Sequence, residues 1–502
     1  MPQAIGKVYL VGGGPGDPAL ITLRGCQCLA RADVVLYDYL INPQILAHAK
    51  PEAELVCLGR HGRGRIMPQA EINAHLVRHA REGRTVVRLK AGDPVVFAHA
   101  AEEIGALESA GVSYEIVPGI TAALAVGSYA AIPLTQGDSA SALALVTGQE
   151  RKGKSLALDY PALAAFPGTL VFYMGVTTAK QWCARLIAAG KPGDTPAAIV
   201  RRCSLADQQT IPCTLGSVAE EIQSRRLRPP AVVVVGPVAA MAGRHGWFVE
   251  RPLFGVRVLV TRAAHQAPAL AAALADLGAL VLVQPAIEIA PPADWQPVDR
   301  ALSQLDRFDW LVFASANGVR ACLDRLLAER DLRALGRVKL AAIGPGSAEE
   351  LARYRLRADV VPDEFRAESL AAALGNEAAL GKRFLLVRAS RGREVLADQL
   401  TTAGAVVEQI VVYTSRDVAQ PEAEIAGQLR DGKIDWITVT SSAIARSLAH
   451  LFGVELRKCR LATISPVTSA TLRELGYDVA VEAEEYTTAG LVKAISTAEG
   501  HH

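Results

Sequence analysis

The chain has 502 residues, of which 50% are apolar, 5% aromatic and 21% charged. This length exceeds what one hydrophobic core usually supports, so we expect several compact units of α/β type. Because 53 basic residues nearly balance 51 acidic ones, the composition excludes the strong positive field of nucleic-acid-binding or membrane-surface proteins.

A strand begins at Lys7–Val11, close to the N-terminus, with no signal-peptide pattern before it. No apolar run approaches the ~20 residues that a membrane-spanning helix needs. The eight cysteines lack the paired spacing of metal sites and the density of a disulfide framework. We therefore expect a cytoplasmic protein with buried thiols, no bound metal, and no nucleic-acid or membrane partner.

The first strand leads through VGGGPGDP into a helix predicted over Leu20–Ala30. Glycines there would let the backbone approach a ligand closely, although a plain tight turn explains the same residues. The next strand, Asp33–Tyr37, ends at Asp38. Carboxyl ends of strands face the ligand crevice in open α/β sheets, so Asp38 is either a site residue or a helix N-cap.

Three later strands also end at glycine or proline, in LKAGDP (89–94), VPGIT (117–121) and LVFYMG (170–175). Each break alone is an ordinary turn between secondary-structure elements. Four such breaks after successive apolar strands favour a shared ligand cleft.

With these motifs in place, residues 5–245 resemble the uroporphyrinogen-III C-methyltransferases. The resemblance rests on the order of VGGGPGDPALITL, ADVVLYDYL, PQAEIN, VVRLKAGDP, VPGITAA, IPLT, LVFYMGV and VVVVGPV. It implies a two-lobed α/β tetrapyrrole methylase that binds S-adenosylmethionine and methylates uroporphyrinogen III twice, giving precorrin-2. It also implies a proton acceptor at Asp38, and cofactor contacts at Pro15, Ala91, Gly92, Asp93, Val96, Thr121, Ala122, Met174 and Cys203.

The chain departs from this family at several positions. Arg60 replaces a proposed lysine proton donor, and because an arginine is a poor acid we expect Arg60 to bind a substrate carboxylate instead. The segments FAHAAEE (97–103, with Ala98–Ala101) and Thr135–Asp138 (with Gln136-Gly137) lack arginines that the family carries. Fewer arginines weaken recognition of a polycarboxylate substrate more than binding of the cofactor. Nearby arginines at 63, 65, 201 and 202 either compensate or are solvated surface charges.

The second half contains an internal repeat. The strands VRVLVTR (256–262) and KRFLLVR (382–388) both end in arginine, and the pairs Asp309-Trp310 and Asp435-Trp436 have the same offset of 126 residues. A repeat of this length predicts two similar α/β lobes with a cleft between them.

Hydroxyl and amide side chains crowd the strand-to-helix turns of this half. Taken singly they are good helix N-caps, and taken together they would line the cleft with donors suited to carboxylates. They give the predicted substrate-binding residues Ser315, Asn317, Thr440, Ser441 and Thr468.

The order of VLVTR, FASANGV, AIGPGSAEEL, LLVRASRGREVL, GAVVEQIVVYTS, TSSA and ISPVTSATL makes residues 255–496 similar to uroporphyrinogen-III synthases. The resemblance implies a two-lobed, cofactor-independent domain that cyclises hydroxymethylbilane to uroporphyrinogen III. It implies lobe one at 255–290 plus 413–498 and lobe two at 291–412. Tyr413 matches the family's favoured catalytic tyrosine, a weak acid for a departing hydroxyl; otherwise it is an aromatic at a cleft edge.

The two halves fit one pathway, since the second would make the substrate of the first. We therefore expect a bifunctional enzyme of sirohaem and cobalamin biosynthesis: methyltransferase domain 1–245, linker 246–254 and synthase domain 255–498. By analogy we expect a homodimer through the methyltransferase domain. The alternative is an active synthase beside a first half that is degenerate, serving dimerisation or channelling, or shifted to another corrinoid precursor.

Overall fold

The computed structural model describes residues 5–59, 67–150, 157–243, 246–391 and 394–500. The chain divides into two compact units, Met1–Gly255 and Val256–His502. Both are α/β, as predicted. In the described part of the chain no helix is long and apolar enough to span a membrane, and no group of three metal-ligating side chains is assembled.

The predicted linker 246–254 differs from expectation, because it packs on the first unit. Phe248 is 3% exposed, its ring lies 4.7 Å from that of Tyr129, and the Trp247 indole donates to the Ser128 carbonyl. Aromatic side chains in this segment bury more apolar surface than a solvated linker could spare. The first unit therefore extends beyond residue 245.

The first unit contains two five-stranded sheets. Sheet one is parallel, in the order β3-β2-β4-β1-β5, and sheet two is mixed, in the order β6-β7-β10-β8-β9. Their strands are β1 Val8–Gly12, β2 Val34–Tyr37, β3 Glu54–Cys57, β4 Val86–Lys90, β5 Tyr114–Val117, β6 Leu143–Thr147, β7 Thr169–Tyr173, β8 Pro196–Arg201, β9 Gln209–Thr214 and β10 Ala231–Val235. The helices are α1 Leu23–Leu29, α2 Gln69–Arg81, α3 Ala100–Ser109, α4 Ala122–Tyr129, α5 Tyr160–Ala165, α6 Ala179–Ala188 and α7 Val218–Ser224.

Strand composition explains which strands are central. The β4 segment VVRLK and the β10 segment AVVVV are almost entirely buried, as expected for β-branched runs covered by helices on both faces. Because all strands of sheet one are parallel, the loops after them emerge at one edge.

The second unit also contains two sheets, ordered β12-β11-β18-β19-β20 in lobe one and β13-β17-β16-β14-β15 in lobe two. Their strands are β11 Arg257–Val260, β12 Leu280–Val283, β13 Ile287–Ala290, β14 Trp310–Phe313, β15 Lys339–Ala342, β16 Arg383–Ala389, β17 Val406–Asp417, β18 Trp436–Val439, β19 Arg460–Thr463 and β20 Val481–Glu482. The helices are α8 Ala267–Asp276, α9 Gln296–Ser303, α10 Ala316–Leu327, α11 Pro345–Arg353, α12 Ala367–Ala373, α13 Gly375–Ala379, α14 Val395–Thr402, α15 Ala423–Arg430, α16 Ser442–Phe452, α17 Pro466–Glu474 and α18 Thr488–Ala498.

The two lobes repeat one another in register. Strand β11 pairs with β12 and β18 as β16 pairs with β17 and β14, and all these pairs are parallel. The pairing of Val260 with Val283 recurs as that of Leu386 with Gln409, 126 residues later. The same local sequence pattern thus forms the same sheet twice.

The exchange of chain between the lobes differs slightly from the predicted boundaries at 290 and 413. Strand β13 pairs antiparallel with the end of β17, and both belong to the lobe-two sheet. The lobe-one sheet therefore ends at Val283 and resumes at Trp436. The antiparallel pairing satisfies the edge of β17, which would otherwise be open.

Candidate active sites

In the first unit, three loops at the carboxyl edge of sheet one are in direct contact. Gly14 and Gly92 exchange two backbone hydrogen bonds, of 3.2 and 2.8 Å. A Cβ on Gly12 would lie 2.5 Å from the Gly119 Cα, so only glycine lets the loops after β1 and β5 approach this closely. The four predicted strand breaks include three that share this edge.

Asp93 fastens two of these loops. One carboxylate oxygen accepts from the Val95 amide at 2.9 Å and the other from the Gly119 amide at 3.0 Å. Asp93 itself is 9% exposed. Its carboxylate therefore holds the predicted contact segment Ala91–Val96 in shape, and its predicted contact with the cofactor stays a prediction.

Tyr173, at the end of β7, joins sheet two to this edge. Its hydroxyl lies 2.6 Å from the Thr121 hydroxyl and accepts from the Ala123 amide at 2.7 Å. Its ring lies 5.1 Å from that of Phe97, in the loop after β4. Burial raises the pKa of Tyr173, so it remains a neutral phenol. Thr121, Ala122 and the neighbouring Met174 are thereby placed at one site.

The glycine-rich loop is held at its far end by the turn after β8. The Asp17 amide donates to the Ser204 hydroxyl at 3.0 Å, and the Tyr129 hydroxyl donates to the Asp17 carboxylate at 2.8 Å. This places Pro15 in a loop that contacts the turn containing Cys203. Burial raises the pKa of the Cys203 thiol to about 12, so at neutral pH it offers no thiolate nucleophile.

Several side chains around this site have left-handed backbone conformations. Phe97, Met174 and Ser204 have φ of 53°, 53° and 65°, which is uncommon for residues other than glycine. Such conformations persist where the surrounding structure imposes them, and they concentrate at ligand sites. Met174 and Phe97 are also 48% and 41% exposed, so apolar surface faces solvent among these loops.

Asp38 lies at the same edge, after β2. Its carboxylate accepts from Arg88 at 2.6 Å through one oxygen and from the Ala91 amide at 3.2 Å through the other. It caps no helix; the 3-10 helix that follows is capped by Asn42. Its side chain is 29% exposed, so it is fixed in orientation and still accessible.

Behind Asp38 lies a buried charge cluster. Glu103, fully buried, accepts from Arg88 at 3.0 Å and from Lys90 at 2.7 Å. Burial lowers the pKa of Lys90, and the nearby Arg88 adds to this effect. Such pairing is required of buried charges, since an unpaired one is costly to desolvate. The cluster makes Arg88 a rigid support for Asp38.

The structure describes two of the five arginines that were considered as carboxylate-binding groups. Arg60, Arg63 and Arg65 lie outside the described residues. Arg202 forms an ion pair with Asp207 at 2.6 Å, and Arg201 donates to the Arg228 carbonyl. Both are therefore engaged in local structure.

In the second unit, Tyr413 lies on β17 with its hydroxyl 3.0 Å from that of Ser315. Ser315 caps α10 by accepting from the Gly318 amide at 3.0 Å, so the predicted N-cap and the predicted site residue are one group. Burial raises the pKa of Tyr413, against the opposing hydrogen bonds from Ser315 and Asn317. The phenol is therefore protonated at neutral pH and able to donate.

Asn317 links the two lobes. Its side-chain oxygen accepts from Gln266 at 2.9 Å and lies 2.9 Å from the His265 ring nitrogen Nε2. His265 and Gln266 belong to the loop between β11 and α8 in lobe one, whereas Asn317 is the second residue of α10 in lobe two. Tyr413, Ser315 and Asn317 therefore lie together at the junction of the lobes.

The predicted residues of lobe one are less uniform. Ser441 caps α16 by accepting from the Ile444 amide at 3.2 Å, and Thr440 precedes it, partly exposed. Thr468 is 2% exposed and its hydroxyl lies 3.2 Å from that of Ser465. A hydroxyl can hold this partner and still bond a second group, so the substrate contact of Thr468 stays a prediction.

An arginine just after the carboxyl end of β11, Arg262, was not predicted as a site residue. Arg262 follows β11 and donates to the Thr488 hydroxyl at 3.2 Å, at the start of α18. Its Nε is buried without a hydrogen-bond partner.

With this geometry established, comparison with known proteins gives a consistent result. Residues 7–219 match the family model of tetrapyrrole (corrin/porphyrin) methylases, and residues 268–493 match that of uroporphyrinogen-III synthase HemD. A porphyrin biosynthesis protein HemD from Ruminiclostridium josui is 30% identical over 471 residues, covering 93% of this chain and 94% of that protein. The chain belongs to this family of porphyrin biosynthesis proteins.

Two further relatives match parts of the chain. A uroporphyrinogen-III C-methyltransferase from Bacillus subtilis (strain 168) is 37% identical over 349 residues, covering 69% of this chain and 71% of that protein. The solved structure of a Thermus thermophilus uroporphyrin-III C-methyltransferase, complexed with S-adenyl homocysteine, is 39% identical and covers 46% of this chain and 93% of its own, with a TM-score of 0.40.

The family assignment confirms both resemblances stated from the motifs. The chain is an enzyme of tetrapyrrole biosynthesis with a methyltransferase domain and a uroporphyrinogen-III synthase domain. Sequence reasoning missed Tyr173, Arg88 and Glu103, which hold the first site together, although two polar residues in the apolar run VVRLK could have indicated Arg88 and Lys90.

Proposed function

We propose that the second unit cyclises hydroxymethylbilane to uroporphyrinogen III and that the first unit methylates this product twice, giving precorrin-2. The observation that supports this most is the presence of both family domains on one chain, since the product of one reaction is the substrate of the other. These reactions lie on the route to sirohaem and cobalamin. A cytoplasmic location belongs to the same proposal.

The loops of the first unit suit S-adenosylmethionine. A Cβ placed on Gly92 would have one described neighbour within 4 Å, the Thr121 Cα at 3.8 Å. Met174 and Phe97 present exposed apolar side chains in the same group of loops. A backbone free of side chains next to exposed apolar groups can accept a nucleoside and its polar tail. When bound, S-adenosylmethionine supplies an electrophilic methyl group. Ala91–Asp93, Val96, Thr121, Ala122, Met174, Pro15 and Cys203 would surround it.

Asp38 is proposed as the proton acceptor. A fully substituted pyrrole carbon that gains a methyl group leaves a cation on the ring. That cation is neutralised when the pyrrole nitrogen or the adjacent methylene bridge loses a proton, and a carboxylate at the cleft edge can take this proton. The Arg88 ion pair and the Ala91 amide fix both oxygens of Asp38, which orients the group before substrate arrives. Arg60 is proposed to bind a substrate carboxylate.

In the second unit, Tyr413 is proposed as the proton donor. As the terminal C–O bond of hydroxymethylbilane breaks, a proton from the phenol lets the hydroxyl depart as water. Burial keeps this phenol protonated, and Ser315 holds its oxygen in place. The proposed substrate-binding residues position the carboxylates of hydroxymethylbilane; they are Ser315, Asn317, Thr440, Ser441 and Thr468.

The experiment is a coupled assay with the full chain, hydroxymethylbilane and S-adenosylmethionine, followed by absorbance and mass spectrometry. A doubly methylated tetrapyrrole, absent when S-adenosylmethionine is withheld, is the expected product. Uroporphyrinogen III as the final product would refute the methyltransferase part, and only the uncatalysed type I isomer would refute the synthase part.

The role of Asp38 is tested separately by Asp38→Asn. We expect methylation of uroporphyrinogen III to slow by roughly 100-fold, the usual size of a general base effect. Asp194→Asn, an exposed carboxylate of the same unit, is the matched control. Equal rates in the two variants would remove Asp38 from the mechanism.

A second candidate follows from the missing arginines at Ala98–Ala101 and Gln136-Gly137. Because fewer cations face a polycarboxylate, the first unit could act on another corrinoid precursor or serve only dimerisation or channelling. Mass spectrometry of products from defined precursors tests the first of these, and calorimetry with S-adenosylmethionine tests the second. A homodimer through the first unit is proposed by analogy and is checked by sedimentation.

A further inference from the structure

Arg262 carries a charge that no described residue neutralises. Its guanidinium donates to the Thr488 hydroxyl at 3.2 Å, and its Nε is buried with no partner. Within the described parts of the chain, no carboxylate forms an ion pair with it. Burial lowers the pKa of this arginine, which marks the charged form as unfavourable in its surroundings.

Several other arginines with buried surroundings have acidic partners. Arg383 also has a buried Nε without a partner among the described residues, but it begins β16, at the sheet edge opposite the carboxyl ends of the strands. Arg88 contacts Asp38 and Glu103, and Arg320 contacts Glu350 at 3.0 Å. In the other lobe, Arg388 forms an ion pair with Glu394 and donates to Gln409. A desolvated cation without a partner costs free energy, so its retention at Arg262 points to an anion that is supplied from outside.

The surroundings of Arg262 place this anion in the candidate site of the second unit. The backbone is fixed just before it, because the Thr261 hydroxyl donates to the Thr438 carbonyl in the core. Three residues later, His265 and Gln266 contact Asn317 of the opposite lobe. Arg262 therefore begins the loop that reaches the junction containing Tyr413.

Thr488 adds the second contact. It is the first residue of α18, an 11-residue helix whose N-cap, Thr487, accepts from the Gly490 amide. The start of a helix favours negative charge, and a hydroxyl beside a guanidinium can donate to the same carboxylate.

We propose that Arg262, together with Thr488, binds a carboxylate of an acetate or propionate side chain of the tetrapyrrole substrate in lobe one. This rests on the synthase activity proposed above and adds a charged anchor to its neutral donors. A planar guanidinium offers N–H groups in a fixed arrangement that a carboxylate accepts. The site would hold the substrate on lobe one while Tyr413 acts from lobe two.

The test uses the full chain with hydroxymethylbilane and three variants, Arg262→Gln, Arg262→Lys and Arg388→Gln. Loss of a charge-assisted hydrogen bond to substrate predicts a KM about 10- to 100-fold higher for Arg262→Gln, with kcat changed much less. Arg262→Lys keeps the positive charge without the planar guanidinium, so its KM should lie between those of wild type and Arg262→Gln. Arg388→Gln, the repeat-equivalent arginine with its own carboxylate partner, should keep the wild-type KM. A wild-type KM in Arg262→Gln would overturn the proposal.

Melting curves with uroporphyrin III, the air-stable oxidised form of the product, separate binding from a structural role. We expect Arg262→Gln without ligand to melt at the wild-type temperature or above it, because removing an unpaired desolvated charge costs no ion pair. We expect the rise that uroporphyrin III causes in the melting temperature of the second unit, followed by a fluorophore attached to that unit, to be lost or much reduced in this variant. A destabilised variant that keeps the full rise would refute the site.

The two proposals fail in different ways. If the wild-type chain leaves hydroxymethylbilane unconverted, the proposed synthase activity is wrong. The rise in melting temperature with uroporphyrin III still decides whether Arg262 binds a tetrapyrrole carboxylate.

Discussion

Arg262 and Arg388 occupy equivalent positions in the two lobes of the second unit, 126 residues apart, and their surroundings differ. Arg388 is neutralised within its lobe by Glu394, whereas Arg262 contacts the Thr488 hydroxyl and, among the residues that the structure describes, no carboxylate. At another pair of equivalent positions, lobe two has Asn317 and lobe one has Ala443. A duplicated fold has therefore kept its strands while its two polar edges diverged.

The divergence suggests a division of labour. Lobe two carries the tyrosine and the amide that reach the junction, and lobe one carries an uncompensated cation. Since four strands have the same order in both sheets, these differences reside in side chains at the carboxyl edges of strands, where α/β proteins bind ligands. The predictions below test whether chemistry and anchoring are indeed separated.

The largest effect is expected for Tyr413→Phe in lobe two. Removing the phenolic proton donor should lower kcat for uroporphyrinogen III formation by roughly 100-fold with little change in KM. Tyr354→Phe is the matched control, since that hydroxyl also belongs to lobe two and donates to Asp324 at 2.6 Å. A loss confined to KM, or equal losses in both variants, would assign Tyr413 to positioning alone.

A smaller effect is expected when Asn317 is replaced by alanine, the residue of lobe one. The variant loses the contacts to His265 and Gln266 and the amide that opposes the raised pKa of Tyr413. At about 0.5–1.5 kcal/mol for each hydrogen bond, kcat/KM should fall about 10-fold. Asn376→Ala, an exposed residue of α13 in the same lobe, should be silent. Unchanged kinetics in Asn317→Ala would show that the lobe contact is dispensable.

The comparison of lobes also shows what sequence could reveal. The 126-residue offset predicted the shared strands because they depend on local apolar runs and on Asp309 and Asp435, which bind the equivalent amides of Arg383 and Arg257. The missing partner of Arg262 and the lobe contact of Asn317 depend on residues 226 and 52 positions away. Contacts between residues so far apart in the sequence leave no local pattern. The pairing of β13 with the lobe-two sheet was missed for the same reason.

In the first unit, likewise, the glycine breaks predicted a shared edge, because each follows an apolar strand. Two contacts depend instead on which strands become neighbours: the hydrogen bond by which Asp93 connects two loops, and the contact of Tyr173 with Thr121. The order of elements along the chain does not determine these neighbours. The packing of Phe248 on Tyr129 displaced the predicted linker for the same reason.

A third prediction compares the stability of the two arginine sites. Arg388→Gln should lower the free energy of unfolding of the second unit by about 0.5 kcal/mol, a modest value because Glu394 is 53% exposed and solvent screens the pair. Arg262→Gln should leave the free energy of unfolding of the second unit unchanged within the error of the measurement. Chemical denaturation of the full chain, monitored by a fluorophore attached to the second unit, supplies both values. An equal loss in the two variants would mean that Arg262 is a structural residue like Arg388.

A fourth prediction, also of a small effect on stability, concerns the repeated aspartates. Asp309 accepts from the Arg383 amide at 2.9 Å and from Lys382 at 3.1 Å, and the amide hydrogen bond in particular holds its pKa below the ordinary value. Valine replaces this lysine at the equivalent position 256, so Asp435 has the amide contact from Arg257 without that cation. Because the Asp309 side chain is 39% exposed, we expect Asp309→Asn to cost only about 0.5–1 kcal/mol at pH 7.

The sign of its pH dependence follows from the lowered pKa. A carboxyl that is more acidic in the folded state stabilises the fold above its unfolded pKa, near 4, and loses this contribution as the pH falls through its folded pKa. The stability gap between wild type and Asp309→Asn should therefore be constant from pH 7 to about 5 and narrow below about 4. Asp435→Asn, measured alongside, isolates the lysine: if its gap equals that of Asp309→Asn at every pH, Lys382 adds nothing and the two lobes are equivalent at this position.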